Sequence, residues 1–204
     1  MVVIVDYGMG NLKNVYNALK YLNIPSKISK DTNEIKNADK LILPGVGSFA
    51  EAMKNLNNLG LYELIREKAN DGTPLLGICL GMQMLFEKGY ENGESKGLNL
   101  INGQITLLNP RENVKIPHIG WNRLEVNKDS ALISNLRKDS FVYYVHSFAA
   151  TNVKDEDLIA FSSYGGLKVP SIVCKNNIYG AQFHPEKSGE VGLKILKNFG
   201  EMVR

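Results

Sequence analysis

The sequence LLGICLG at residues 75–81 decides the fold, because it joins an apolar strand to a helix-like segment at residues 82–86. Glycines on both sides of Cys79 let the backbone turn sharply without a Cβ clash. The start of the following helix offers free N–H groups and the positive end of the helix dipole, and both favour a thiolate. The stretch therefore predicts a nucleophilic cysteine at a strand-to-helix turn.

In the first half of the chain, short apolar runs alternate with segments of helical periodicity. Strands are predicted at residues 2–5, 26–29, 41–43 and 75–78, with helices at 12–22, after Asp31, at 50–56 and at 61–69. Alternation of this kind is typical of a parallel sheet with helices on its faces.

The pattern changes from about residue 98 onward, where hairpin signals replace the alternation. Strands are predicted at residues 101–108, 124–126, 141–145, 158–161 and 172–183, the last with a turn at Asn176-Asn177, and a closing helix at 188–202. The sequence therefore predicts a single α/β domain over residues 1–204. It has a central, mainly parallel sheet flanked by helices and an antiparallel elaboration in the second half.

Composition and charge exclude several classes of protein. The 204 residues are 44% hydrophobic and 22% charged, and 24 Lys and Arg are scattered among 21 Asp and Glu for a net charge of +3. No nucleic-acid footprint is visible in that distribution. The first apolar run reaches Asp6 too soon for a signal peptide, and no apolar stretch approaches the roughly 20 residues of a membrane helix. We therefore expect a cytoplasmic protein that binds neither nucleic acid nor membrane.

The cysteines and histidines argue against disulfides and metals. Cys79 and Cys174 are the two cysteines, so reduced thiols are expected, with Cys174 as plain core packing. The three histidines lack the spacing of metal ligands. No metal and no cofactor are expected.

A histidine and a carboxylate follow the last predicted strand. His184 and Glu186 are two positions apart, so on an extended backbone they project to the same side. Pro185 restricts His184 to extended conformations, and Glu186 can then orient the imidazole while its other nitrogen takes the Cys79 proton. A candidate Cys-His-Glu triad results. The alternative is a histidine at a turn beside a solvated glutamate.

His146 is a weaker candidate for the base, because no carboxylate stands two residues further on. Residues 145–147 are better interpreted as a wall on the substrate side.

Two glycine-containing loops follow predicted strands. The loop at residues 44–47 lies at the carboxyl edge of the sheet, so the backbone around Val46 and Gly47, with the N–H of Leu80, can form an oxyanion hole. A simple turn is the alternative. In the loop at residues 6–11 the third glycine of a dinucleotide fingerprint is replaced by Lys13, so that motif is rejected. This second loop is expected to be a partner or substrate surface.

The order Gly-x-Cys-x-Gly then His-Pro-Glu resembles the triad-type (class I) glutamine amidotransferases across nearly the whole chain. Four further segments, at residues 6–12, 44–49, 117–122 and 143–148, are similar to one subgroup, the glutaminase subunits of imidazole glycerol phosphate synthases from histidine biosynthesis. The resemblance implies a flavodoxin-like fold.

The resemblance also implies roles for individual residues. Cys79 would attack the side-chain amide of glutamine, His184 would protonate the departing ammonia, and Glu186 would steady the imidazole. Water would then hydrolyse the thioester. The family's substrate contacts correspond here to Gly47, Gln83, Glu91, Ser147 and Phe148. Phe148 stands where the family often has Tyr, so a main-chain contact is expected there.

A partner is implied as well: a (β/α)₈-barrel cyclase subunit, forming a heterodimer, that receives the ammonia through an internal passage. The present chain is too short to contain such a barrel, which needs about 250 residues. Asn11, Asn14 and Trp121 are the candidate docking residues, because aromatic side chains often anchor interfaces. Core packing is the alternative for Trp121.

Three other functions stay open from the sequence. The chain could be a glutaminase subunit of another synthase, such as that of pyridoxal phosphate. It could be a cysteine-dependent hydrolase or redox protein on a related fold, which would make Cys79 peroxide-sensitive without glutamine turnover. A non-catalytic binding protein is the third possibility, and there Cys79→Ala would retain every activity.

Overall fold

The computed structural model describes residues 1–202. Helices and strands alternate in most of the first half, as the periodicity predicts. The elements are β1 (Val2–Val5), α1 (Leu12–Tyr21), β2 (Ser26–Ser29), α2 (Thr32–Lys36), β3 (Lys40–Gly45), α3 (Phe49–Asn58), α4 (Leu61–Asn70), β4 (Leu75–Cys79) and α5 (Leu80–Met84).

Strands dominate the second half, which ends in one long helix. The elements are β5 (Phe86–Gly89), β6 (Ser95–Lys96), β7 (Ile101–Leu107), β8 (His118–Arg123), β9 (Glu125–Val126), β10 (Phe141–His146), β11 (Phe148–Thr151), β12 (Leu158–Tyr164), β13 (Leu167–Lys175), β14 (Ile178–Ala181) and α6 (Gly189–Glu201).

The central sheet has eight strands in the order β2-β1-β3-β4-β14-β13-β12-β9. The first five run parallel, and β13, β12 and β9 continue the sheet antiparallel. A two-stranded β10-β8 ribbon and a four-stranded sheet, β11-β7-β5-β6, stand apart from it. The predicted α/β class, with a mainly parallel sheet and an antiparallel elaboration, is confirmed.

The core fills both faces of the central sheet. Alternate residues of β1 point to opposite faces, so that Val3 and Val5 join one apolar cluster while Val2 and Ile4 join the other. Helices α3 and α4 cover the first cluster, and α1 and α6 cover the second. Each fully buried aliphatic side chain contributes about 1.5–3 kcal/mol. Within residues 1–202 no helix is long and apolar enough to cross a membrane.

One prediction of secondary structure was wrong, and one strand was missed. The helix after Cys79 ends at Met84, and Phe86 already begins β5, because the carbonyls of Met84 and Leu85 accept hydrogen bonds from residues 98, 100 and 101. The strand predicted at residues 124–126 is present as β9, but the longer strand β8, which pairs with β10, was not predicted. Strand β8 exposes Ile119 and Trp121, so its outward apolar residues conceal the usual alternation.

Candidate active site

Cys79 lies at a strained turn between β4 and α5. Its φ of 54° and ψ of −112° are unusual for a residue with a side chain, a conformation that costs about 1–3 kcal/mol and clusters at functional sites. The flanking glycines allow the close approach that this turn requires. A Cβ on Gly81 would stand 1.7 Å from the carbonyl oxygen of Leu43, and one on Gly77 would stand 2.6 Å from that of Gly81. The helix can therefore start directly against β3 and β4.

His184 reaches the same edge of the sheet because β14 runs parallel to β4, with Ala181 opposite Ile78. The backbone of His184 is fixed by its own N–H, which donates to the carbonyl of Tyr143 at 3.0 Å. Its carbonyl accepts from Ser188 Oγ at 2.6 Å. The strand pairing therefore brings a thiol and an imidazole together from positions far apart in the chain.

The carboxylate of Glu186 orients the imidazole. His184 Nδ1 and Glu186 Oε1 are 2.8 Å apart, and their side chains are 2% and 1% exposed. Within residues 1–202, His184 Nε2 has no partner at hydrogen-bond distance. This nitrogen is therefore free to interact with the thiol. Cys79 Sγ itself lies 3.9 Å from the carbonyl oxygen of Val145 and 4.0 Å from Gln182 Nε2.

The electrostatics of this group favour a charged imidazole. Burial lowers the pKa of His184, but the interactions of its ring with Cys79 and with Glu186 outweigh the burial and raise that pKa to about 10. Burial, by contrast, lowers the pKa of His146 to about 4, despite the opposing hydrogen bond to Phe148. Of these two histidines, His184 has the partners that a catalytic base requires.

A cavity of about 370 Å³ opens beside the thiol. Its lining includes Cys79, His184 and all seven of the residues expected to form the oxyanion hole or contact substrate: Val46, Gly47, Leu80, Gln83, Glu91, Ser147 and Phe148. Glu186 stands behind His184, outside the lining. Val145 and His146 also line the cavity, in the position that was interpreted as a wall. Pro117 completes the lining and was not predicted as a site residue, although it begins the family-like segment at residues 117–122.

The loop at residues 44–47 is anchored at one end. Gly45 pairs with Cys79 in the β3-β4 ladder, and the hydroxyl of Tyr7 donates to the carbonyl of Pro44 at 2.8 Å. Val46 is 43% exposed, and Gly47 has a φ of 98°. Pro44 and Gly45 are therefore held by Tyr7 and the sheet, whereas Val46 and Gly47 lie beyond these contacts. Sequence reasoning missed the anchoring role of Tyr7, which depends on a contact 37 positions away.

Two polar residues of the cavity are held in place by the backbone. Gln83 Nε2 donates to the carbonyl of Phe148 at 2.9 Å and to Gln182 Oε1 at 3.1 Å. Glu91 Oε2 accepts from the N–H of Phe49 at 2.8 Å, so it satisfies a free donor at the start of α3. Both side chains reach the cavity with fixed positions.

The three candidate docking residues lie outside the cavity. Trp121 is 57% exposed on β8, so the core-packing alternative for it is wrong. Its ring lies 6.0 Å from that of Tyr143, on a ribbon that also exposes Ile119 and Phe141. Asn11 immediately precedes α1 and is half-buried, and Asn14 lies in the first turn of α1 and is exposed.

The described part of the chain, residues 1–202, contains no group of three or more His, Cys, Asp or Glu side chains placed to hold a metal ion. Cys174 is half-buried beside the second core cluster, with its thiol 3.5 Å from the carbonyl oxygen of Asn176. No chemistry is indicated there.

Comparison with known proteins agrees with this geometry. The family model described as glutamine amidotransferase class-I matches residues 3–202. The chain is 52% identical to the imidazole glycerol phosphate synthase subunit HisH of Lactococcus lactis subsp. lactis (strain IL1403), covering 99% of this chain and 98% of that protein. It is 48% identical to the HisH subunit of Caldanaerobacter subterraneus subsp. tengcongensis, covering 100% and 99%.

Solved structures support the fold. A crystal structure of a glutamine amidotransferase superposes with a TM-score of 0.76 at 20% identity, covering 98% of this chain and 100% of that one. The PurLQS structure from Thermotoga maritima gives 0.71 at 18% identity, covering 97% and 96%. The chain therefore belongs to the class-I glutamine amidotransferase family and, within it, to the family of imidazole glycerol phosphate synthase HisH subunits.

Proposed function

We propose that this chain is the glutaminase subunit of an imidazole glycerol phosphate synthase in histidine biosynthesis, and that it hydrolyses glutamine to glutamate and ammonia. The observation that carries the proposal is the buried His184–Glu186 pair at 2.8 Å, of which His184 lines the same cavity as Cys79. Identity of 52% to a HisH subunit over nearly the full chain supports the narrower assignment. Residues 1–204 then form one glutamine amidotransferase domain.

In the proposed mechanism the proton of Cys79 passes to His184 Nε2 before attack, which gives a thiolate and the charged imidazole that the raised pKa of His184 favours. Sγ then bonds to the amide carbon of glutamine as the π electrons of the carbonyl move to its oxygen. The tetrahedral adduct collapses when the carbon–nitrogen bond breaks, and the imidazolium gives its proton to the departing ammonia. Water, deprotonated by His184, then hydrolyses the thioester, so that glutamate leaves and the thiol is restored. Glu186 keeps the imidazole oriented and stabilises its charged form throughout.

The developing oxyanion requires hydrogen-bond donors near the thiol. We assign this role to the N–H of Leu80, at the start of α5, and to the backbone at Val46 and Gly47. Gln83, Glu91, Ser147 and Phe148 are assigned to binding of the glutamine, because they line the same cavity. The segment after Gly45 must aim an N–H at the oxyanion for this hole to be complete.

The partner is proposed to be a separate (β/α)₈-barrel cyclase subunit that forms a heterodimer with this chain in the cytoplasm and receives the ammonia through an internal passage. The exposed ribbon of Trp121, Ile119 and Phe141 suits an anchor surface of this kind. Asn11 and Asn14 would extend it. Loop 44–47 would take its active orientation more often when the cyclase holds its ribonucleotide, through a population shift.

Glutamate release tests the proposal in three mixtures: the chain alone, the chain with the cyclase, and the chain with cyclase and ribonucleotide. We expect the rate to rise in that order. Equal rates in all three would contradict the coupling, and no release in any of them would contradict the glutaminase assignment.

Docking is tested by Trp121→Ala, with Tyr21→Ala as control because Tyr21 is 75% exposed on α1. We expect Trp121→Ala to raise the Kd for the cyclase about tenfold or more, as for an interface hot spot. Tyr21→Ala should leave it unchanged. Equal effects of the two variants would contradict the ribbon as the docking surface.

A further inference from the structure

Two buried histidines outside the triad form a hydrogen-bonded pair beside the cavity. His118 Nδ1 and His146 Nε2 are 3.1 Å apart, with exposures of only 2% and 6%. His146 Nδ1 lies 2.9 Å from the carbonyl oxygen of Phe148. On the far side, Asn122 Nδ2 lies 3.4 Å from His118 Nε2. The contacts link β8, β10 and the cavity wall in one row.

The row has one consistent assignment of protons. A carbonyl oxygen only accepts, so His146 must carry its hydrogen on Nδ1. Neutral His146 then has a bare Nε2, and His118 must donate to it from Nδ1. His118 Nε2 is left as an acceptor, which suits the amide NH₂ of Asn122. The Asn122 amide is oriented independently, since its Nδ2 donates to the carbonyl of Ser163 and its Oδ1 accepts from the N–H of Arg123.

The surroundings keep both rings neutral. The ring of His118 stacks between Tyr144 and Tyr164, at centroid distances of 4.5 and 3.9 Å. Burial lowers the pKa of His118 to about 4 and is also the main cause of the low pKa of His146. The charged group that faces His146 is the imidazole of His184, which further disfavours a second cation.

The row of hydrogen bonds ends at the carbonyl of Phe148. This carbonyl accepts from Gln83 Nε2 on one side and from His146 on the other, each at 2.9 Å. We propose that His146, supported by His118, is a positioning residue that fixes the Ser147–Phe148 wall of the glutamine pocket. The proposal rests on the glutaminase function proposed above. Because His146 touches the wall rather than the reacting atoms, its loss should affect KM more than kcat.

Magnetic resonance of the full chain labelled in its histidines tests the pair without any activity. We expect His118 and His146 to be neutral with the hydrogen on Nδ1 throughout the range from about pH 6 to pH 8, where a free imidazole titrates. His184 serves as the internal contrast, since its raised pKa keeps it charged in that range. A hydrogen on Nε2 of His146, or a charged His146, would overturn the proposal.

Kinetics of the cyclase complex provide the second test. His146→Asn keeps an amide donor near the Nδ1 position and should raise the KM for glutamine less than about threefold, whereas His146→Leu removes the donor and should raise it about five- to tenfold. Tyr164→Phe, a control from the same cluster, keeps the ring beside His118 and should leave KM unchanged.

Equal KM changes in His146→Asn and His146→Leu, or a loss confined to kcat, would overturn the positioning role. If His146→Leu fails to fold, the tautomer measurement and His146→Asn still decide. An inactive wild-type complex would instead count against the glutaminase function, so the two failures are distinguishable.

Discussion

The two sides of the cavity are built differently. The catalytic side, which carries the proposed nucleophile and base, comes from β4 and β14, neighbouring parallel strands of one sheet that place Cys79 and His184 at its carboxyl edge. In the wall, Ser147 joins β10 to β11 and Phe148 is the first residue of β11, and these strands belong to two smaller sheets. One side therefore lies within a continuous ladder, whereas the other lies at the junction of two sheets, where side-chain hydrogen bonds add to the backbone pairing.

This difference separates chemistry from binding. The ladder and the buried Glu186 hold the groups proposed to react, so changes there should act on the chemical step. Gln83 and His146 hold the wall at the carbonyl of Phe148, in addition to the backbone hydrogen bond from Leu108 to Ser147, so changes of these two side chains should act mainly on glutamine affinity. Catalytic and binding defects should consequently divide along this boundary.

The largest effect is expected on the catalytic side, when the proposed nucleophile is removed. Cys79→Ala should reduce glutamate release by the complex on the order of 10⁴-fold or more, because no other group can form the thioester. Cys174→Ala is the matched control, because its thiol stands outside the cavity, and it should retain full activity. Substantial activity in Cys79→Ala would rule out covalent catalysis by this residue.

Removing the carboxylate behind the base sharpens the catalytic side further. Glu186→Gln should lower kcat/KM on the order of 10³-fold, as expected when the group that orients a catalytic histidine is lost. The pKa of His184 is raised to about 10 with the help of Glu186. Loss of the Glu186 carboxylate must therefore lower the pKa of His184. The alkaline limb of the pH profile of kcat/KM should consequently move to lower pH.

The measurement is kcat/KM against pH for the complex. Glu190→Gln removes an equal charge from the exposed start of α6 and serves as the control, with an unchanged profile. An alkaline limb that stays in place in Glu186→Gln would show that His184 is not the titrating group.

The catalytic side was also the part that the sequence could predict. The glycines around Cys79 and the spacing of His184 and Glu186 are local sequence signals. The pairing of β4 with β14 then brings the thiol and the imidazole to the same edge of the sheet. Ser147 was predicted as part of the wall from its place after a predicted strand, and Phe148 through family resemblance alone. The hydrogen bonds of His146 to His118 and of Gln83 to Phe148 were not predictable, because they join elements whose pairing no local pattern encodes.

The same reasoning explains the other misses. Strand β8 turns Ile119 and Trp121 outward, so its hydrophobic pattern does not indicate which face is buried. The contact of Tyr7 with Pro44 joins the loop after β1 to the end of β3 at the sheet edge. Both depend on tertiary packing, which overrides the periodicity of a single segment.

The close packing of Gly81 against β3 can be tested by measuring the free energy of unfolding. Gly81→Ala should reduce the free energy of unfolding by about 3 kcal/mol, because the added methyl group would overlap the carbonyl of Leu43. Gly72→Ala is the control, with a φ of 85° but no atom within 4 Å, and should cost about 1 kcal/mol. Denaturant melts compare them, and equal losses would mean that the overlap with the carbonyl of Leu43 adds no cost at Gly81.

The smallest effect is expected on the binding side, at Phe148. Its carbonyl, not its ring, receives the hydrogen bonds from Gln83 and His146, so a hydroxyl added to the ring should leave the wall in place. Phe148→Tyr should therefore change the KM for glutamine less than about twofold, a difference below the contribution of one hydrogen bond. Steady-state glutaminase kinetics of the complex measure it. A tenfold fall in KM would mean instead that the substrate contacts this side chain directly, and that the wall binds through more than its backbone.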